Sequence, residues 1–324
     1  MKNDVFNVVL LLALPASGKS EVRNFLAQMD PEVLKRDFHI GENVQLDDFP
    51  YVHFMKRIDI ELLALGQNRI FYPGDDPFID ARDWATLINL LNEDYYDLVN
   101  RCYKKVDSAA RLLFDRIDNA ALKVGINPRL SYLKPEIKEK LIERLEAEAR
   151  ALQDEKEAAY TDDLENKTIV IEAARGGADG ASLPLKDPFG YQYSLRYFAP
   201  ELLEKAVILY IQVTPEESRR KNAERANPDD PGSILNHGVP LSVMLGDYGI
   251  DDMLYLRDHS EIKDTVTVKA YGHTYHLPIG IFDNRKDKTT FLRQDKKLWS
   301  KELVDDMTAS VKEATDTMYR NYHK

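Results

Sequence analysis

Residues 13–20, with the sequence ALPASGKS, join a run of apolar residues to a segment with helical spacing. A small residue, four variable residues, then glycine, lysine and serine are typical of a loop whose backbone amides surround a phosphate. Lys19 would reach the terminal phosphates of a nucleotide, and Ser20 would place its hydroxyl on magnesium. The residues predicted to contact the nucleotide are Pro15, Ala16, Ser17, Gly18, Lys19, Ser20 and Glu21.

Two positions of this loop bear on how well it fits the pattern. Gly18 has no Cβ, so the backbone there can approach a phosphate closely. Ala13 stands where glycine is more frequent, and alanine is tolerated if its φ is negative. A chance match is the alternative, but a strand before the loop and a helix after it are what the motif requires.

The elements around the loop meet that requirement. Val5 to Leu12 is a continuous apolar run, which predicts a strand covered on both faces of a parallel sheet. Lys19 to Met29 carries its apolar residues at helical spacing, which predicts a helix. The sequence therefore predicts strand, loop and helix in that order.

Strand and helix patterns recur along the rest of the chain. A closing helix is predicted from Leu298 to Met318. Strands are predicted over 43–46, 168–172, 206–213, as a hairpin within 264–278, and as a last buried strand within 277–287. Strands separated by helices predict an α/β fold with three layers, α/β/α, around a mostly parallel sheet.

The segment 75–165 differs from this pattern because its apolar residues recur only at helical spacing. We predict one helix around Trp84, a longer one over 98–120 and a third over 137–152. The predicted organisation is a core domain of 1–74 and 166–324 with an all-helical insertion of 75–165. The insertion is interpreted as a packing module or as the surface of a possible homodimer.

Composition restricts the class of protein. The 324 residues carry a formal net charge of -11, which argues against a general nucleic-acid binder. The single cysteine, Cys102, excludes an internal disulfide and is typical of a reducing compartment. The apolar N-terminus leads directly into the loop without a cleavage site, and no stretch is long enough to span a bilayer. We therefore expect a cytoplasmic protein that does not bind membranes.

The stretch ALPASGKSEV resembles the loop of the P-loop nucleoside and nucleotide kinases and their small-molecule kinase relatives. Three later segments follow the order of that family, while the helical insertion has no recognised counterpart in it. The resemblance implies a P-loop kinase fold, ATP and Mg²⁺ as cofactors, and a small-molecule acceptor.

The first of these segments is QLDDFP. It is similar to an Asp-Asp-Phe motif of uridine-kinase-like members, which implies that Asp47 or Asp48 lies near the acceptor hydroxyl. Phosphoryl transfer needs a carboxylate to orient and deprotonate the attacking oxygen. The alternative is structural, because Asp48 before Phe49 and Pro50 is well suited to cap a helix.

The second segment is TIVIEAARGG. Glu172 ends an apolar strand, and a carboxylate at that edge would lie beside the phosphate loop, often on magnesium through water. Glu172 is therefore a predicted metal ligand and catalytic residue. Deoxynucleoside kinases carry an arginine a few residues after this acid, and Arg175 holds a similar place.

The third segment, VTPEESRRKNAERANPDD, is similar to the lid of these kinases, where a helix after the strand carries basic residues toward the transferred phosphate. The candidates are Arg219, Arg220, Lys221 and Arg225. An arginine that arrives on closure stabilises the charge of the transition state. The alternative is a solvated helix face on which Glu216, Glu217 and Glu224 are the partners.

A fourth, weaker signal lies near the C-terminus. Asp283, Asn284 and Arg285 follow the last predicted strand, where related folds line the adenine pocket, although Asp-Asn is also a turn signal.

Together these features favour an ATP-dependent kinase that transfers the γ-phosphate to a nucleoside, a nucleotide or another small acceptor. One alternative is a nucleotide-dependent ATPase or switch whose helical insertion binds a protein partner. Another is a protein that binds nucleotide without catalysing transfer.

Overall fold

The structure is a computed structural model that describes residues 5–225 and 238–322. These residues form two compact units. The core unit comprises the described residues up to Gln45, residues 165–196, and the described residues from Pro200 onward. The helical unit comprises residues 46–164 and 197–199.

The core unit is built on a six-stranded sheet. Its strands are β1 Val8–Leu12, β2 Glu42–Asp47, β3 Lys167–Ala173, β4 Ala206–Gln212, β5 Thr265–Ala270 and β6 His273–Asp283. Their order across the sheet is β2-β3-β1-β4-β6-β5. The strand β1 runs parallel to β3 and β4, β4 runs parallel to β6, and only β5 is described as antiparallel to its neighbour. The predicted α/β class with a mostly parallel sheet is confirmed.

The helices are α1 Lys19–Ala27, α2 Pro31–Phe38, α3 Phe49–Ala64, α4 Asp83–Asn100, α5 Ala109–Lys123, α6 Pro135–Ala158, α7 Gly190–Leu195, α8 Pro200–Leu203, α9 Pro215–Arg225, α10 Leu241–Gly246, α11 Met253–Asp258 and α12 Lys301–Tyr322. Short 3₁₀ helices cover Thr290–Arg293 and Lys296–Leu298. Within the described ranges, no helix is both long enough and apolar enough to cross a bilayer.

One face of the sheet carries the main apolar core. Side chains at alternate positions of β1 and β4, including Leu11 and Leu209, pack with Val22 of α1, Phe38 of α2 and Val311 of α12. Alternation along a strand sends neighbouring side chains to opposite faces. The side chains of Leu10, Leu12, Ile208 and Tyr210 on the other face are also buried, so the sheet is covered on both faces.

The second face is covered by the segments that follow β3 and β4. The hydroxyl of Tyr210 donates to Asp251, the residue two before α11, at 2.8 Å. The next residue, Asp252, accepts the backbone amide of Tyr191 in α7 at 2.6 Å. The helices α7 and α11 therefore lie on the face opposite α1, which agrees with a three-layer α/β/α arrangement.

The first arm of the predicted hairpin is β5, and its second arm and the predicted last strand form one continuous strand, β6. Its first half pairs antiparallel with β5, from His273 opposite Ala270 to Pro278 opposite Thr265. Its second half, from Ile279, pairs parallel with β4. The strand β6 therefore pairs with both β4 and β5, and β5 is the last strand at this edge of the sheet.

The helical unit consists of α3, α4, α5 and α6. It begins nearer the N-terminus than the predicted insertion of 75–165, because α3 packs with α6 through Arg57 and Glu61. Arg57 bonds to Glu148 at 3.0 Å, and Arg144 bonds to Glu61 at 2.9 Å.

The single long helix predicted over 98–120 is wrong. The helix α4 ends at Asn100, and Arg101 follows in the left-handed conformation with φ 52°. The amide of Cys102 then bonds back to the carbonyl of Asp97 at 2.8 Å, which closes the helix end. A new helix starts after Ser108, whose side chain accepts the amide of Arg111. The apolar spacing continues through this break, so periodicity alone did not reveal it.

Candidate functional site

The loop between β1 and α1 has the backbone of an anion nest. Ala16 and Gly18 adopt left-handed conformations, with φ 53° and 101°, while the φ of Ala13 is not positive, so an alanine is tolerated there. Residues that alternate between right- and left-handed conformations turn successive amides toward one point. The loop therefore presents a concave set of backbone donors.

The start of α1 adds to this donor set. Gly18 is the N-cap residue and provides no side-chain cap, and the first-turn amides of a helix have no intrahelical acceptor. The dipole of the helix places partial positive charge at the same end. The hydroxyl of Ser17 is buried, and it has no hydrogen-bond partner among the described residues. This end of α1 is thus suited to an anion.

Glu172 lies where the sequence analysis expected a carboxylate. It pairs in register with Leu11 on β3, next to the loop-bearing strand β1, and it is buried. Its Oε1 accepts hydrogen bonds from the guanidinium of Arg23, one helical turn after Lys19, and from Gln45 at 3.2 Å. Both of these bonds end on Oε1.

This arrangement fits the magnesium ion that the resemblance implies. Among the described residues no group of three or more His, Cys, Asp or Glu side chains could hold a metal. Mg²⁺ bound to phosphates does not need such a group, because it takes one or two protein ligands and keeps several waters. The side chains of Ser20 and Glu172 are the residues that would hold it.

The loop also lies at a topological switch point of the sheet, where the connections from two neighbouring strands leave on opposite faces. The chain leaves β1 into α1 on one face, and it leaves the neighbouring strand β3 toward α7 on the opposite face. A crevice forms at the carboxyl ends of such neighbouring strands, and ligands of open α/β sheets bind there. The loop and Glu172 both border that position.

Gly18 is required for a reason that the sequence did not reveal. A Cβ at this residue would lie 2.6 Å from Oγ1 of Thr289 and 3.0 Å from Nδ2 of Asn284. The glycine therefore allows the loop to pack against the chain that follows β6, in addition to the expected approach to a phosphate.

Asn284, predicted to line an adenine pocket, contacts the loop instead. It is fully buried, and its Nδ2 donates to the carbonyl of Ser17 at 2.7 Å and to Oγ1 of Thr289 at 3.0 Å. Its Oδ1 accepts the amide of Lys288 at 2.6 Å. The neighbouring residues Asp283 and Arg285 form an exposed ion pair with each other.

Glu21 brings two arginines to the first turn of α1. Its carboxylate accepts hydrogen bonds from Nε of Arg293 at 2.8 Å and from Nη2 of Arg225 at 3.4 Å. Burial alone would raise the pKa of Glu21, but the charges of Arg225 and Arg293 hold that pKa below its ordinary value. The predicted lid residue Arg225 is thus held beside the loop. Glu21 was predicted to contact the nucleotide, and its side chain is committed to this pair of cations.

Arg175, two residues after the end of β3, is buried, with 2% of its surface exposed. Its Nε donates to Ser194 at 3.1 Å and its Nη1 donates to the carbonyl of Ala174 at 2.6 Å. Its own amide donates to the hydroxyl of Tyr191 at 3.3 Å. These contacts tie Arg175 to α7.

The remaining basic residues of α9 are paired along the helix. Arg219 lies 3.4 Å from both Glu216 and Asp179. Arg220 pairs with Glu217 at 2.7 Å and also with Glu224, as in the alternative of a solvated helix face. The last residues of the predicted lid segment, 226–230, lie outside the described residues.

Unlike Arg219 and Arg220 of the same helix, Lys221 is fully buried. Its Nζ lies 2.6 Å from Oδ1 of Asp287 and 3.4 Å from Oγ1 of Thr289. Burial would raise the pKa of Asp287, but the contacts with Lys221 and Thr290 lower it to about 2. The ion pair fastens α9 to the segment after β6.

Asp47 and Asp48 fall within the helical unit. The carboxylate of Asp47 accepts the amide of Phe49 at 2.9 Å, so it supports the start of α3. Asp48 occupies the N-cap position but makes no side-chain cap, which differs from the capping role considered for it.

Several residues at this site were missed or misread from the sequence. Arg293 and Thr289 lie far along the chain and carry no local motif. Arg23 follows Lys19 by four residues, so it shares a helix face with it and could have been noticed.

No family model, curated protein or solved structure matches this chain.

Proposed function

We propose that the chain is a P-loop kinase, which binds ATP with Mg²⁺ and transfers the γ-phosphate to a small-molecule acceptor, most simply a nucleoside or a nucleotide. The observation that carries the proposal is the backbone of the loop, where left-handed Ala16 and Gly18 precede the N-terminus of α1, to which Gly18 provides no side-chain cap. A nest at a helix N-terminus is suited to a polyphosphate.

Two further features support a nucleotide over a simple anion. Lys19 is the first residue of α1, where its ammonium group would follow the loop amides along a chain of phosphates. Glu172 is buried with Oε1 fixed by Arg23 and Gln45, which leaves Oε2 to orient a water of a metal ion. Bound magnesium would supply charge neutralisation between the phosphates.

In this account each residue has one task in the transfer. The loop amides and Lys19 hold the donor phosphates, and Arg225 or Arg219 stabilises the charge that develops on the transferred group. The carboxylate of Asp47 or Asp48 accepts the proton of the acceptor hydroxyl as its oxygen bonds to phosphorus. The bond from phosphorus to the oxygen of the departing ADP breaks, and that oxygen keeps the electron pair.

The location is part of the proposal. A single cysteine in 324 residues is typical of a reducing compartment, and ATP is the donor expected there. We therefore propose that the protein acts in the cytoplasm.

The test is a phosphoryl-transfer assay with ATP and Mg²⁺ against a panel of nucleosides, nucleotides and small metabolites. We expect transfer to one class of acceptor, and its loss in Lys19→Ala while the melting temperature is kept. Lys35→Ala is the matched control, because Lys35 is an exposed lysine of the core unit that bonds to Asn166. ATP hydrolysis without transfer to any acceptor would contradict the kinase and favour the ATPase alternative.

A further inference from the structure

Two carbonyl groups of the phosphate loop are held from outside the loop. The hydroxyl of Ser218 in α9 donates to the carbonyl of Pro15 at 2.7 Å. The side-chain amide of Asn284, after β6, donates to the carbonyl of Ser17 at 2.7 Å. Both donor side chains are fully buried. The bond from Asn284 is buried, and the bond from Ser218 is partly buried.

Each of these carbonyls belongs to the same peptide group as an amide of the nest. The carbonyl of Pro15 shares its peptide with the amide of Ala16, and the carbonyl of Ser17 shares its peptide with the amide of Gly18. In a planar trans peptide the C=O and N–H bonds point in opposite directions. A donor that fixes the carbonyl on one side therefore aims the amide toward the other side.

The two amides aimed in this way belong to the left-handed residues, Ala16 and Gly18. For Ala16 that conformation is unfavourable and persists only where the surroundings hold it. The bond from Ser218 lies directly before this residue, and the bond from Asn284 lies directly before Gly18. The outside donors thus act where the loop needs support.

Thr289 connects Asn284 to α9, the helix that carries Ser218. Its Oγ1 accepts Nδ2 of Asn284 at 3.0 Å and lies 3.4 Å from Nζ of Lys221, one helical turn from Ser218 on α9. It is also the nearest neighbour of the position a Cβ on Gly18 would occupy. The loop is therefore packed against α9 and the segment after β6 as one body.

We propose that Ser218, Asn284 and Thr289 are positioning residues of the phosphate loop, which hold the amides of Ala16 and Gly18 toward the ligand before it binds. The identity of the ligand, a nucleoside triphosphate with Mg²⁺, rests on the proposed function. The positioning of the loop amides by these three residues does not depend on it.

The test compares Ser218→Ala, Asn284→Ala and the nearly isosteric Thr289→Val with Thr168→Val. Thr168 is a matched control because its buried hydroxyl also makes two hydrogen bonds, with the amide of Gly41 and the carbonyl of Phe6, both at 2.8 Å. It lies near the amino-terminal end of β3, whereas the loop follows the carboxyl end of the neighbouring strand β1. All four variants lose a buried polar group of the core unit.

The first readout is the dissociation constant for Mg-ATP, measured well below each melting temperature. Each loop variant should bind about fivefold more weakly, which corresponds to one hydrogen bond, while Thr168→Val binds as the wild type. A merely structural role would lower the melting temperature in all four variants and leave the affinity unchanged, and that result would overturn the proposal. So would an equal loss of affinity in Thr168→Val.

The second readout needs no ligand. The ¹⁵N order parameters of Ala16 and Gly18 should be about 0.85 in the wild type and in Thr168→Val, and fall toward 0.6 in Ser218→Ala and Asn284→Ala. Unchanged order parameters would overturn the proposal even if the wild type bound no nucleotide. Absence of nucleotide binding with the expected loss of order would instead contradict the proposed function and retain the support of the loop.

Discussion

The guanidinium Nε of Arg293 lies 2.8 Å from Oε1 of Glu21, although 272 residues separate them. Glu21 directly follows Ser20 in the first turn of α1. A carboxylate beside a phosphate site repels the ligand unless a cation compensates it. Arg293 and Arg225 provide that compensation, and together with Glu21 they leave a net positive charge.

Removing Arg293 should therefore weaken nucleotide binding. In Arg293→Ala the carboxylate of Glu21 keeps only Arg225, which lies 3.4 Å away. We expect the dissociation constant for Mg-ATP to rise about three- to tenfold, as for loss of a partly exposed charge pair. Calorimetric titration measures this. In the control Arg36→Ala, which removes an exposed arginine paired with Asp37, the affinity should stay within twofold. Equal weakening in both variants would contradict a local role.

Glu172→Gln tests the metal site. Glutamine keeps an oxygen for Arg23 and Gln45 but removes the charge that would orient a water of Mg²⁺. We expect kcat at a fixed Mg²⁺ concentration to fall about 10- to 100-fold, as for the loss of an outer ligand. Excess Mg²⁺ should restore part of it. The control is Glu42→Gln, at an exposed glutamate paired with Lys167, and its kcat should not change. A wild-type kcat in Glu172→Gln would show that Glu172 has no role in the metal site.

Asp251 should make stability depend on pH. Burial raises the pKa of this carboxyl from 3.8 to about 6, although bonds from Met253 and Tyr210 oppose the rise. Between these two values the folded state binds the proton that the unfolded state has released, so the free energy of unfolding falls as pH rises from about 4 to 6. Asp251→Asn lacks this titration. Its stability relative to the wild type should increase by about 1 to 3 kcal/mol between pH 4 and pH 7.

Urea unfolding across this pH range is the measurement. Asp258→Asn is the control, because Asp258 is an exposed carboxylate on α11 next to Arg257. The two variants should diverge only as pH rises. A difference between Asp251→Asn and the wild type that is the same at pH 4 and pH 7 would contradict the buried titration.

The helical unit should depend on a buried ionic cluster. Arg116 of α5 bonds to Asp94 at 2.7 Å, to Glu93 at 3.0 Å and to the hydroxyl of Tyr51 at 3.1 Å. Arg116→Met removes the hydrogen bonds to all three acceptors, although Lys156 still lies 2.9 Å from Asp94 and Lys123 lies 3.4 Å from Glu93. We expect a loss of about 1 to 3 kcal/mol in the free energy of unfolding. Arg111→Ala, which breaks an exposed pair with Glu139, should cost about 0.5 kcal/mol or less. Equal effects in urea would show that the cluster contributes no more than a surface pair.

Local sequence predicted the elements whose signals are local. The apolar run of β1, the loop pattern and the helical spacing of α1 were enough to predict strand, loop and helix. The break at Arg101 was missed because a left-handed residue other than glycine leaves no compositional signal. The contacts of Gly18, Asn284 and Arg293 come from distant segments, and no spacing within one segment reports which residues meet in the fold.

If the loop from Ala13 to Ser20 binds a nucleoside triphosphate, calorimetric titration of the protein with Mg-ATP should show saturable binding at one site. Lys19→Ala should weaken this binding strongly without a change in melting temperature. No binding heat at several temperatures, with Mg-ATP and with Mg-GTP, would show that the loop does not bind a nucleotide.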